Sequence, residues 1–185
     1  MFTKIKSTLF VLPLFLVILL SSENTLAQFR HIKGISAIEL SGGITGKGYY
    51  GSASYLKYLS DKLYFAIPAR YEMGNLNDSI KFTEYGIAPD LNYSLFKTQW
   101  LYASIKAGAS ATMMNINSAS YEEFSYAVDK KSFLVLAGMI GVELEIYVHD
   151  KISLIPSFRQ NLIFKSEVDG KSSYYAGFGI RYSIL

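Results

Sequence analysis

From residue 34 onward, apolar and polar residues alternate with a period of two in segment after segment. Successive side chains of a strand point to opposite faces, so this pattern predicts strands with one apolar and one polar face. In the closing segment Tyr174, Ala176, Phe178, Ile180, Tyr182 and Ile184 share one parity. Tyr175, Gly177, Gly179, Arg181 and Ser183 share the other. The pattern predicts eight strands, near 34–44, 48–59, 63–74, 82–95, 100–114, 132–148, 152–164 and 173–185. No stretch keeps a helical period, and no linker or fixed repeat divides the chain.

The connections alternate in length. Ser60-Asp61-Lys62, Phe96 to Gln99 and His149-Asp150-Lys151 are short and rich in turn formers. Thr45 to Gly48, Asn75 to Lys81, Asn115 to Lys131 and Lys165 to Ser172 are mostly longer. Short turns at one end, longer loops at the other and an even number of antiparallel strands are the layout of an up-and-down transmembrane β-barrel.

Charge sharpens the picture. Glu39, Arg70, Glu72, Glu84, Asp90, Lys106, Glu143, Glu145, Arg159 and Arg181 all fall inside strands on the polar parity, among Gly, Ala and Ser. Small residues with balanced charge suit a narrow lumen filled by side chains, where the ten form either an ion path or a salt-bridge network. An eight-strand barrel is filled by its side chains, which favours the network. Lys57, on the apolar parity near a strand end, is expected to snorkel. On the apolar parity, Tyr55, Phe65, Tyr93 and Tyr182 lie near one end and Tyr49, Tyr71, Tyr85, Phe164 and Tyr174 near the other, as two girdles would. With these faces, Ile140 meets lipid and Gly141 the lumen, so arginine at 140 is expected to cost more than serine at 141. Pro68, Pro89 and Pro156 fall within strands and are expected to mark bulges or bends. Parity alone leaves open which face is inside, so a secreted lipocalin-like lipid-binding barrel is the alternative.

The N-terminus has Lys4 and Lys6, an apolar run from Leu9 to Leu20 and small residues up to Ala27. That is the layout of a secretory signal peptide over 1–27, with a barrel domain over 28–185. The run is too short for a spanning helix, which needs about 20 residues. There are 0 cysteines, so neither a lipidated cysteine nor a disulfide framework is available. The net charge of +3 comes from scattered lysines, with no basic stripe for nucleic acid.

Candidate chemistry is sparse. His149, Asp150 and Ser153 could assemble a triad, but closeness in sequence is no evidence of triad geometry. Glu122, Glu123 and Asp129 lack calcium-loop spacing. Gly42-Gly43 and Gly46-x-Gly48 lead into no helix, so they are not a phosphate loop. No enzyme, cofactor or metal site is expected. The loop residues Tyr121, Glu122, Glu123, Phe124 and Tyr126 combine aromatic anchors with charge and are the candidate partner surface; the alternative is that part of this loop extends the fifth and sixth strands beyond the membrane.

Three stretches carry a family resemblance: Lys33-Gly34-Ile35 through Glu39-x-Ser41-Gly42-Gly43; Ser54-Tyr55-Leu56-Lys57-Tyr58-Leu59 with Tyr71-Glu72; and Gly177 to Ile184. In these the sequence resembles the conjugal transfer protein TraO family of Bacteroides-type conjugative transposons. The end also resembles the signal read by the barrel-insertion machinery, with Gly179, Tyr182 and Ile184 at its glycine and hydrophobic positions. Gly177 stands where that signal has a polar residue, and Leu185 replaces its terminal aromatic. The resemblance implies an outer-membrane accessory of a conjugative apparatus, partnered by other transfer proteins; the barrel pattern adds lipid, and the scattered charge and filled lumen argue against direct nucleic-acid contact. The alternative is a free-standing small outer-membrane barrel in adhesion or envelope maintenance.

Overall fold

The computed structural model describes residues 33–76, 80–116, 132–165 and 172–184. Nine strands follow in order: β1 (Ser36–Thr45), β2 (Gly48–Tyr58), β3 (Leu63–Leu76), β4 (Ile80–Ile87), β5 (Asp90–Lys97), β6 (Leu101–Ile116), β7 (Ser132–His149), β8 (Ile152–Lys165) and β9 (Ser172–Ile184). All pairings are antiparallel. β1 pairs with both β2 and β9, and the β2–β3 pairing closes the sheet into a barrel.

The barrel has eight staves, because β4 and β5 are two halves of one. β3 pairs Ala69 with Ile87 and Ala66 with Asp90, so one register runs through the break. The same holds against β6, where Ile87 meets Ala111 and Asp90 meets Gly108. The break falls at Ala88-Pro89, opposite Pro68. Ala88 N donates to the Pro68 carbonyl at 3.0 Å, but proline has no N–H with which to return the bond. Ala109 N likewise donates to the Pro89 carbonyl at 3.1 Å without a reciprocal bond. Two prolines thus remove ladder bonds on both sides of one spot. Pro156 marks a third interruption, since the β7–β8 pairing lapses between Glu143–Ser157 and Ile146–Leu154. The Thr45 to Gly48 connection is shorter than expected, with Gly46-Lys47 alone between β1 and β2.

The polar parity faces inward on every stave, and the apolar parity outward. Leu40, Ile140, Val142 and Ile180 are 63%, 61%, 54% and 54% exposed, whereas Arg70, Glu72, Glu143 and Arg181 are buried. This excludes the lipocalin-like arrangement, whose apolar face would line the interior. Both expected girdles are present on the outer wall, with Tyr55, Tyr93 and Tyr182 exposed at one end and Tyr49, Tyr85 and Phe164 at the other. At the short-turn end Lys57 donates to the Gly34 carbonyl at 2.6 Å, tying down the chain's approach to β1.

Candidate functional site

The lumen is layered. Beneath the longer loops, Leu76, Phe82, Met114, Ile116, Phe133 and Val135 form an apolar cluster on the inward face. At the short-turn end Ala37, Leu56, Tyr58, Tyr64 and Ala66 form another, with Ile35 packed against it. The ten charged residues expected in the lumen lie between these clusters, nine of them in two groups and Asp90 beside a small cavity.

Arg181 organises the group nearer the short turns. Its Nε and Nη2 donate to Glu39 Oε2 at 3.0 and 2.7 Å, Nη2 to Glu143 Oε1 at 2.6 Å, and Nη1 to Glu145 Oε2 at 2.8 Å. The strand register explains the convergence: Glu39 on β1 lies directly across from Arg181 on β9, while β7 brings two carboxylates on consecutive inward positions. Lys106 holds the other oxygen of Glu143 at 2.6 Å. The Tyr64 hydroxyl also donates to Glu143, and Ser153 donates to Glu145 at 2.7 Å. Every carboxylate of this cluster is therefore partnered, which a buried charge requires.

The second group is built on aromatic faces. The Arg70 and Arg159 guanidiniums each stand 4.4 Å from the centroid of the Tyr175 ring, and Tyr50 meets that ring edge-on at 5.4 Å. The Tyr175 hydroxyl donates to Glu72 at 2.6 Å, and Thr45 donates to the other oxygen at 2.8 Å. Glu84 accepts from Arg70 at 3.1 Å and from Thr112 at 2.7 Å. Arg159 differs from the others: its buried Nε and Nη2 have no hydrogen-bond partner, and the Tyr175 and Tyr50 rings flank it instead of a carboxylate. In the β1–β2 turn Lys47 feels the carboxylates of Glu72 and Glu84, while burial lowers its pKa from 10.5.

Asp90 accepts from Asn92, and both border a polar cavity of about 30 Å³ shared with Glu39, Lys106 and Arg159. That is room for a few waters.

The remaining sequence expectations divide. Ser153 turns into the lumen toward Glu145, while His149 is exposed at the rim, so the two do not form a triad with Asp150. Tyr121, Glu122, Glu123, Phe124 and Tyr126, with Asp129, lie outside the described residues. Gly179 faces inward against β1, and Tyr182 and Ile184 face outward. Gly177 has a structural reason to be glycine: a Cβ there would stand 2.1 Å from the Tyr50 hydroxyl. Gly141 faces the lumen as expected, yet it is not a tolerant position. A Cβ there would lie 2.5 Å from the Phe158 carbonyl oxygen, so the serine expected to be mild would crowd backbone.

Sequence reasoning missed the inward tyrosines. Tyr50, Tyr58, Tyr64 and Tyr175 are buried and support the charge network, and their parity marks them. It missed the apolar clusters as well, although Phe82, Met114, Phe133 and Val135 are apolar residues on the polar parity near strand ends.

No protein-family model and no curated protein sequence matches the chain. Solved structures match over most of it. The N-terminal β-barrel domain of Pseudomonas aeruginosa OprF is similar with a TM-score of 0.62 and 18% identity, over 82% of this chain and 98% of that one. A major outer membrane protein from Thermus thermophilus gives 0.64 and 11%, over 82% and 99%. Neisserial surface protein A gives 0.60 and 17%, over 81% and 96%. The chain therefore has the fold of the small eight-strand outer-membrane barrels, closed, antiparallel and up-and-down.

Proposed function

We propose that this chain is a non-enzymatic barrel of the outer membrane, serving as a structural accessory of a conjugative DNA-transfer apparatus. The observation that carries the structural half is the pairing of an outward apolar belt with a lumen packed around Arg181. A wall whose exposed side chains are Leu, Ile, Val, Tyr and Phe belongs against lipid. A lumen filled by charged groups, tyrosines and two apolar clusters leaves no passage for DNA, so the contribution to transfer is anchorage or assembly. The process itself is supported by the resemblance over Lys33 to Gly43, Ser54 to Leu59 and Gly177 to Ile184.

Two experiments test the two halves. Membrane fractionation with unheated gels is expected to place the protein with outer membranes as a heat-modifiable band, and recovery from soluble periplasm would overturn the membrane reading. Deleting the gene in a donor is expected to lower conjugation with small-solute permeability unchanged. Normal transfer from that donor would remove the conjugative role and leave a free-standing outer-membrane barrel.

A further inference from the structure

Two opposite charges inside the barrel each lack a direct ionic partner. Arg159 on β8 is buried, yet its Nε and Nη2 meet no acceptor. Asp90 on β5 is buried too, and among the described residues its one hydrogen bond comes from Asn92. A carboxylate only accepts, so the Asn92 nitrogen turns toward Asp90 and the Asn92 Oδ1 turns away. That oxygen is also buried and unpartnered. Polar groups left dry and unpaired are costly. All three side chains border the cavity of about 30 Å³, and the charges of Asp90 and Arg159 act on each other across it. Its place follows from register. Asn92, Lys106, Gly141 and Arg159 succeed one another across β5, β6, β7 and β8, and the glycine leaves that row one side chain short.

We propose that this cavity is a built water site, and that water held there joins Arg159 to Asp90 as a bridged ion pair. The unmet atoms select the occupant. An anion would answer the guanidinium donors but not the Asn92 oxygen, and a metal cation would do the reverse. Water donates and accepts, so it answers both. Charge agrees: the lining sets Glu39, Asp90 and Glu143 against Lys106, Arg159 and Arg181, which leaves no surplus for an ion to neutralise. Size agrees as well. One water takes about 10–15 Å³ of such space, so the cavity holds about two. The bridge has a mechanical use. Asp90 opens β5 directly after Pro89, where the stave has lost ladder bonds, and the bridge fastens that half-stave to β8 past β6 and β7.

The test uses the full protein folded in detergent micelles. The Nε proton of Arg159 is expected to show a cross-peak at the water frequency, with the sign of a resident water rather than of proton exchange. A resolved Nε proton without that cross-peak overturns the proposal. A double-mutant cycle gives a second readout. Arg159→Met and Asp90→Asn should each lower the folding equilibrium constant. The double variant is expected to keep about tenfold more of it than the product of the single losses allows. Losses that multiply to within about twofold overturn the proposal. Wild-type stability is expected to be equal in sodium chloride and sodium gluconate at one ionic strength. A gain in chloride that disappears in Arg159→Met assigns the cavity to an anion and overturns the water site.

Discussion

Arg181 and Glu143 meet at 2.6 Å in the middle of the barrel, one on β9 and the other on β7, with β8 between them. The guanidinium therefore spans the lumen rather than a strand ladder. Together with Glu39 and Glu145 it fastens three staves to a single side chain.

Removing that side chain should leave three buried carboxylates without their shared cation. Breaking a buried ionic cluster from one side costs about 3–5 kcal/mol, because the desolvated charges remain. Arg181→Met is expected to lose that much in denaturant unfolding from micelles. Arg181→Lys should recover less than half of it, since an ammonium cannot direct separate forks at Glu39, Glu143 and Glu145. Wild-type stability in Arg181→Met would mean that Lys106 alone satisfies the cluster.

The faces of the wall predict a contrast between neighbouring positions. Ile140→Arg puts a charge where the side chain is 61% exposed to the surroundings of the belt, at a cost of about 2–4 kcal/mol near the bilayer midplane. Ser110→Ala, inside the lumen, removes a hydroxyl with no hydrogen-bond partner and should change stability little. Gly141→Ser is expected to cost about 1–3 kcal/mol through overpacking. Folding yields into vesicles, compared across the three, check the order.

The contrast also shows what was legible in the sequence. That Ile140 and Gly141 lie on opposite faces was legible because strand alternation is local; which face is inside was decided by the closed barrel, where Ile140 is exposed and Glu143 and Arg181 are buried. The partners of Arg181 were not, because they depend on the register of β1, β7 and β9 around a closed barrel. Nor was the intolerance of Gly141, which arises from Phe158 on the next strand. The single stave behind β4 and β5 was read correctly as one segment, and Pro89 supplied the sign of its interruption. The role of Pro68 emerged only once the register placed it opposite Ala88.

At the short-turn rim, Lys97 donates to Asp61 at 3.1 Å, and that hydrogen bond holds the Asp61 carboxyl below its ordinary value of 3.8. A carboxyl depressed in the folded state contributes stability above its unfolded pKa and loses it as pH falls through the folded value, here below 3.8. Both groups are largely exposed, so the effect on stability is small and screened by salt. Lys97→Ala is expected to return the Asp61 titration, followed by carboxyl NMR in micelles, to near 3.8 without disturbing the barrel. An unmoved titration would show that the turn backbone, not Lys97, sets it.

Two glycines separate close approach from open space. A Cβ on Gly177 would meet the Tyr50 hydroxyl at 2.1 Å and the Gly42 carbonyl oxygen at 2.6 Å, whereas one on Gly51 would meet nothing within 4 Å. Gly51→Ala should therefore stabilise the barrel by about 0.4–1 kcal/mol, through the lower entropy of the unfolded chain. Gly177→Ala should destabilise it by at least about 1–3 kcal/mol, because Tyr50 is fixed against Tyr175 and cannot retreat freely. Adding Tyr50→Phe removes the nearest atom and should restore part of the loss. The Gly42 carbonyl belongs to the β1–β9 ladder and stays in place, so restoration should remain incomplete. Full rescue would assign the whole constraint to the tyrosine hydroxyl, and no rescue would assign it to the backbone of β1.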